Sequence, residues 1–334
     1  MIQTITKEQN DYLWSIGQKF LNAKDRTDYL ATLREQCDRK GIGLVFSEEE
    51  TFPAMLRDIE NPPKALFYRG DLSLANRDSI AIVGTRNSSA YGERAAYEIA
   101  RSCAAEGLVV VSGMARGIDS CAHKGALDVS GCTIAFLPGG LDRCYPPSNS
   151  WLFERTASNG LVFSEYPPGT HTEKWNFLER NRLISGICLA TVVVQAAGRS
   201  GAINTAQHAI EQGKDLFAVP GSIFEMNSVG VHRLLTDGAE VVTSVDMIAE
   251  RYKQRQISIE EVEDEKNKTG RSAFSRSNFG GWKWLYDKID DFGSSPEELC
   301  SATGESPSKI QTGLTMLEMG GWIERRDGLK IYRK

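Results

Sequence analysis

The 334-residue chain lacks any apolar run near the roughly 18 residues needed to cross a membrane. Its first twenty residues have neither the basic start nor the apolar centre of a secretory signal. Together these absences point to a cytoplasmic protein without membrane contact. The seven cysteines are scattered and never form a C-x-x-C pair, so they read as reduced thiols rather than a disulfide framework or a metal site. No H-E-x-x-H, no nucleophile elbow and no carboxylate cluster for a metal occurs, and no G-x-x-x-x-G-K-[ST] marks a P-loop ATPase. Positive charge is also scarce. With 39 Lys and Arg against 44 Asp and Glu, the net charge is −5, and bulk charge does not make this a non-specific coat for nucleic acid. Any polyanion site must be local.

What the chain does have is a repeated strand, small-residue turn and helix. Leu108 to Val111 is an unbroken aliphatic run, as in a strand buried on both faces of a parallel sheet, and it runs through SGMARG into a helix that includes His123. Ser79 to Val83 does the same, entering Gly84-Thr85-Arg86-Asn87-Ser88-Ser89 and a helix from about Tyr91 to Glu106. Both turns fall at a helix N-terminus, where N–H groups and the helix dipole favour an anion, and they carry Arg86 and Arg116.

The surrounding chain extends this alternation. Strands are expected at Ile80–Val83, Val109–Ser112, Thr133–Leu137, Leu161–Ser164, Ala190–Val194, Leu216–Val219 and Glu240–Thr243, with helices between them. That pattern predicts an α/β fold, an extended Rossmann-like, doubly wound parallel sheet, over residues 42–253. Residues 1–41 read as a small N-terminal helical segment. A strand at Gly43–Ser47 follows, and Pro62-Pro63 before Ala65–Tyr68 suggests an edge strand there. Residues 254–281, rich in charge, Ser and Gly, read as a flexible linker. Residues 282–334 read as a winged-helix-like module: three helices, a Gly320-Gly321 cap pair, and a hairpin turning at Asp327-Gly328.

Parallel strands present their carboxyl ends on one rim, where ligands of open α/β sheets bind. Gly84-Thr85-Arg86 is not the dinucleotide fingerprint, because an arginine stands where the pyrophosphate requires a bare glycine, so NAD and FAD are not expected. Arg180 and Arg182 precede the strand at Ala190–Val194, and residues two apart on a helix do not share a face, so only one of them should reach the rim. Taken singly, each of Arg86, Arg116, Arg180 and Arg182 reads as a structural ion pair or a solvated charge. Four on convergent loops read as an anion site. Asp119 and His123 lie four apart on one helix; the expectation is a loop anchor and a packed, hydrogen-bonded histidine rather than an acid–base pair. Trp175 or Phe177 is placed either to stack a nucleobase beside the rim or to pack in the core.

As a set, IAIVGTR (80–86), SGMARGID (112–119), AHKGAL (122–127), LPGGLDRCYP (137–146), SEYPPG (164–169), FLERNRLISG (177–186), GRSGAINTAQHA (198–209) and AVPGS (218–222) resemble the DNA-processing protein A family, also called Smf, as does the lead-in from Phe52 to Leu72. The resemblance covers about Phe52 to Tyr252. It implies a non-enzymatic single-stranded DNA-binding recombination mediator that forms a homodimer, uses no cofactor, and helps load the RecA recombinase during natural transformation. It also carries the DNA-binding role onto Gly84, Arg86, Ser112, Gly113, Arg116, Arg180, Asn181, Arg182, Ser200 and Gly201. The chain departs from the family at Gln195, where a glutamate is usual, and at His232, where an asparagine is usual. An alternative is a nucleotide-binding or nucleotide-hydrolysing enzyme of the lysine-decarboxylase-like Rossmann class, suggested by Pro138-Gly139-Gly140. After Gly140, however, Leu141-Asp142-Arg143-Cys144 replaces the Gly-Thr of that signature, and its downstream Glu is missing. The third helix of the C-terminal module offers Lys309 as its one base, which leaves duplex reading and a protein-contact role both open.

Overall fold

The computed structural model describes residues 5–253, 282–290, 293–319, 323–326 and 330–333. The chain divides into two compact units, Met1–Arg255 and Gln256–Lys334.

The first unit is built on one nine-stranded sheet. Its strands are β1 (Gly43–Phe46), β2 (Ala65–Gly70), β3 (Ser79–Val83), β4 (Val109–Ser112), β5 (Thr133–Phe136), β6 (Leu161–Ser164), β7 (Ala190–Val193), β8 (Asp215–Ala218) and β9 (Glu240–Val241). They lie in the order β1-β2-β6-β5-β4-β3-β7-β8-β9. Strands β3 to β9 are mutually parallel, while β2 runs antiparallel to both β1 and β6. The order reverses at β3: β4, β5 and β6 extend to one side and β7, β8 and β9 to the other. A crevice opens at such a switch point, outside the carboxyl ends of β3 and β7.

Alternation along each strand sends neighbouring side chains into different cores. Ala81, Val83, Val109 and Val111 face α6 (Lys174–Gly186), α7 (Gly201–Glu211) and α8 (Val229–Thr236). Ile80, Ile82 and Val110 face α3 (Ala90–Ala105), α4 (Ile118–Asp128) and α9 (247–253). Toward β1, this second face is covered by α5 (Ser150–Asn159) with α1 (Lys7–Leu21) and α2 (Arg26–Lys40), through Leu13, Ile16, Leu33, Leu152 and Phe153.

One expectation is corrected. Ala65–Tyr68 is not at the edge, because β1 pairs on its outer side and β6 on its inner side. Pro62 and Pro63 precede the strand, so every N–H from residue 65 onward remains free to bond in both directions.

In the second unit, α10 (Lys283–Tyr286), α11 (Pro296–Thr303) and α12 (Pro307–Met319) accompany an antiparallel pair, β10 (Ile323–Arg326) and β11 (Lys330–Arg333). Ser295 caps α11 reciprocally with Glu298, and Leu285, Leu299, Ile310, Leu314, Ile323 and Ile331 form the core. The expected linker at 254–281, the Gly320-Gly321 cap and the Asp327-Gly328 turn lie outside the described residues.

Candidate nucleic-acid interface

The loops after β3 and β4 interlock. Gly117 has φ +75°, and a Cβ there would stand 2.4 Å from the carbonyl oxygen of Thr85, so a side chain at 117 would push the two loops apart. The Ile118 amide donates to the same Thr85 carbonyl at 3.3 Å. Asn149 ties down the second loop from below, donating from Nδ2 to the carbonyls of Met114 at 2.8 Å and Ala115 at 3.2 Å. Asn149 had no motif to mark it, since its partners, these carbonyls and Ser120 Oγ at 2.9 Å, lie about thirty residues away in sequence.

A cleft of about 280 Å³ lies at the switch point, lined by Gly84, Thr85, Arg86, Asp119, Phe177, Arg180, Asn181, Ser200 and Gly201 among others. A second hollow of about 250 Å³ adjoins it, and Arg86, Ala115 and Phe177 line both. Arg116 and Tyr145 line the second hollow. The Arg86 guanidinium sits over the Phe177 ring, 4.3 Å from its centroid, and Tyr145 meets the same ring edge-on at 5.6 Å. Arg86, Arg116 and Arg199 are exposed, and among the described residues none of them is held in an ion pair.

The other two arginines are spoken for. Arg180 is 4% exposed and donates from Nη1 to the Gly113 carbonyl at 2.8 Å and to the Phe136 carbonyl. Gly113 has no room for a side chain, because a Cβ would stand 2.6 Å from Nη2 of Arg180. Burial pulls the Arg180 pKa down to about 10, partly offset by the charge of Asp119. Arg182 points away from the cleft, toward a separate cavity of about 710 Å³, and forms a bidentate pair with Glu165 at 2.7 and 2.9 Å. The helical spacing therefore divided Arg180 from Arg182 as expected.

The remaining candidates take different positions. Ser112 is buried, with Oγ donating to the Ile82 carbonyl at 2.7 Å, and Asn181 donates to the Gly201 carbonyl at 3.1 Å. Ser200 caps α7, accepting from the Ile203 amide, and Gly201 is exposed beside it. Gly84 lines the cleft because Ile118 packs against it where a Cβ would stand. At α4 the anion position holds the chain's own carboxylate: Asp119 is buried and accepts from the Ala115 amide at 3.3 Å. Burial raises its pKa, against the pull of Arg180 and Arg86. His123 is fully buried with Nδ1 2.7 Å from Thr133 Oγ1, so it is a packing group. Trp175 stacks on Phe20 and leaves Phe177 as the aromatic at the rim. The Pro138–Gly140 turn is closed internally, with Asp142 accepting from the Gly169 amide at 2.7 Å.

A doubly wound sheet whose switch-point cleft lies beneath exposed arginines, held in no ion pair among the described residues, defines an α/β protein of the extended Rossmann kind. Residues 43–253 match the family model for DNA recombination-mediator protein A, and the chain belongs to that family. It is 38% identical over 264 residues to the DNA processing protein DprA of Bacillus subtilis, covering 78% of this chain and 87% of that one. The crystal structure of DNA processing protein A from Streptococcus pneumoniae is similar with a TM-score of 0.62 at 36% identity, over 68% of this chain and 83% of that chain. The Helicobacter pylori protein, whose structure addresses its single-stranded DNA binding mode, matches with a TM-score of 0.58 at 31% identity, over 64% and 96% of the two chains. Among the described residues no helix is long and apolar enough to cross a membrane, and no cluster of potential metal ligands occurs.

Proposed function

We propose that this chain binds single-stranded DNA along the rim formed by the carboxyl ends of β3, β4 and β7. The observation that carries this reading is the pair of exposed arginines, Arg86 and Arg116, held in no ion pair among the described residues, on two interlocked loops, with Phe177 beneath Arg86. Arginine and loop N–H groups hold phosphates, while an aromatic face accepts a base that a duplex keeps stacked inside. Among the earlier candidates, Arg86, Arg116, Ser200 and Gly201 meet the strand directly; Gly84, Ser112, Gly113, Arg180, Asn181 and Arg182 shape the loops that present them.

On this reading the protein acts in the cytoplasm as a recombination mediator without catalytic activity or cofactor. It works as a homodimer and delivers single strands to the RecA recombinase during DNA uptake. Residues 42–253 are the DNA-binding body and residues 282–334 an accessory module of winged-helix type. Lys309, the base on α12, is paired with Glu305 at 2.7 Å, which favours a protein-contact role for that module over duplex reading.

Fluorescence anisotropy with a labelled dT oligomer and a duplex of equal length tests the reading. The single strand is expected to bind more tightly. Three neutralised phosphates would give a slope of log affinity against log salt near −2, from about −0.7 per phosphate. Salt-independent binding, or equal affinity for the duplex, overturns it. Release of free base from nucleoside monophosphates would overturn the non-catalytic assignment.

A further inference from the structure

The loop after β8 carries a feature that the cleft does not use. Ile223, Phe224 and Met226 are 78%, 91% and 76% exposed, a cluster of large apolar side chains turned to solvent. The loop is nevertheless pinned. The Tyr91 hydroxyl donates to the Pro220 carbonyl at 2.8 Å, and Asn227 Nδ2 donates to the Asn87 carbonyl at 2.7 Å. Asn87 directly follows Arg86, so the apolar loop is joined to the arginine loop after β3.

Gln195, at the end of β7, locks the arrangement. It is 2% exposed, and its Oε1 accepts from the Ser89 amide at 3.0 Å, which fixes which end of the side-chain amide is which. Its Nε2 then donates to Ser89 Oγ at 2.8 Å and to Glu225 Oε2 at 3.3 Å. Glu225 is the one acid of the loop. Turned inward to Gln195, it leaves the outward side chains of residues 223–226 uncharged.

We propose that residues 223–226 form a second base-stacking platform of the single-stranded DNA track, with Phe224 as its ring and the Gln195–Glu225 hydrogen bond as the latch that holds it. The proposal rests on the reading of the rim as a single-strand site. Two strand spacings of about 4.8 Å put β8 roughly 10 Å from β3, so a strand leaving Phe177 reaches Phe224 along the same edge. Exposed Arg199, on the loop after the intervening β7, supplies a cation for the phosphates between the two rings. A base offers a π-face to any aromatic platform, and an uncharged surface joined to a basic rim suits bases beside their phosphates.

The test measures anisotropy of a dT dinucleotide, too short to span the two rings, and of a dT oligomer of about 15 nucleotides, together with an abasic strand of the longer length, with wild type, Phe224→Ala and Phe224→Trp. Phe224→Ala is expected to weaken the longer oligomer about tenfold and leave the short and abasic strands unchanged; Phe224→Trp retains binding. Gln195→Glu sets two carboxylates against each other and should reproduce the loss, and the swap Gln195→Glu with Glu225→Gln should restore binding by reversing the hydrogen bond.

Unchanged binding of the longer oligomer by Phe224→Ala, while Arg86→Ala with Arg116→Ala weakens it, overturns the platform and leaves the rim reading standing. Binding untouched by the arginine pair overturns the rim reading itself. Equal weakening of every strand, abasic included, or a change confined to self-association in sedimentation, also overturns the platform.

Discussion

Arg86 and Arg116 stand on loops above the sheet, whereas Arg180 and Arg182 stand on one helix beside it, and the two pairs have opposite fates. The loop pair is exposed and free of ion pairs among the described residues. The helix pair is consumed internally, Arg180 by the carbonyls that end β4 and β5 and Arg182 by Glu165. Arginine serves both purposes because its planar fork satisfies several acceptors at once and remains charged in either setting. Four arginines near one rim thus divide into two that can meet a ligand and two that build the floor and wall on which the ligand would rest.

The largest expected effect follows from removing the floor. Arg180→Met leaves the Gly113 and Phe136 carbonyls without this donor and strips buried Asp119 of a compensating charge. Uncompensated buried charge costs about 3–5 kcal/mol, and chemical denaturation should show a loss of that size. A loss below about 1 kcal/mol would place Arg180 with the solvent-facing pair. Next comes Arg182→Met, which leaves Glu165 without its bidentate partner. Each side chain of that pair retains roughly a sixth of its exposure, 16% and 17%, so some solvent relief remains. About 2 kcal/mol of stability should be lost, with affinity for a single strand unchanged. Weakened DNA binding at full stability would move Arg182 to the ligand side.

Arg86→Ala with Arg116→Ala should do the reverse. Removing two phosphate contacts flattens the salt slope by about 1.4 and lowers single-strand affinity roughly 15-fold at physiological salt. Stability should hold within about 0.5 kcal/mol, as for other surface substitutions. If that double variant unfolds the protein, the division between free and committed arginines fails.

How far the sequence reached differs between these groups. β3 and β4 were legible because an aliphatic run buried on both faces has few other homes, and the turn after β3 was legible because Gly84 and Arg86 follow that run directly. The divergence of Arg180 and Arg182 was legible from helical spacing alone. What spacing did not carry was the depth of Arg180, because its acceptors are main-chain oxygens of Gly113 and Phe136, and any residue type supplies those. Asn149 was hidden because it bridges elements distant in sequence; Gln195 stood out as a departure from the family, but its bridge from Ser89 to Glu225 was hidden, since only the closed sheet brings those residues together. The Pro62-Pro63 pair misled because proline limits pairing only within a strand, and here it stops short of one.

A last effect reaches the committed pair from a neighbouring group. Thr133 Oγ1 donates its hydrogen to the Val110 carbonyl at 2.6 Å, so it accepts from His123, whose proton is therefore on Nδ1. Nε2 of His123 is buried and has no hydrogen-bond partner among the described residues, so a second proton would have nothing to meet there. Burial first, and then the charge of Arg180, lowers the His123 pKa from 6.5 to about 3. Between those two values the unfolded chain takes up a proton that the folded chain refuses. The stability contributed by the neutral ring is complete above pH 6.5 and falls by about 1.4 kcal/mol per pH unit below it. Denaturation from pH 7.5 to 5 should show that slope in the wild type and its absence in His123→Gln. An identical slope in both would mean that His123 titrates normally when folded, and that neither its burial nor the Arg180 charge holds it neutral.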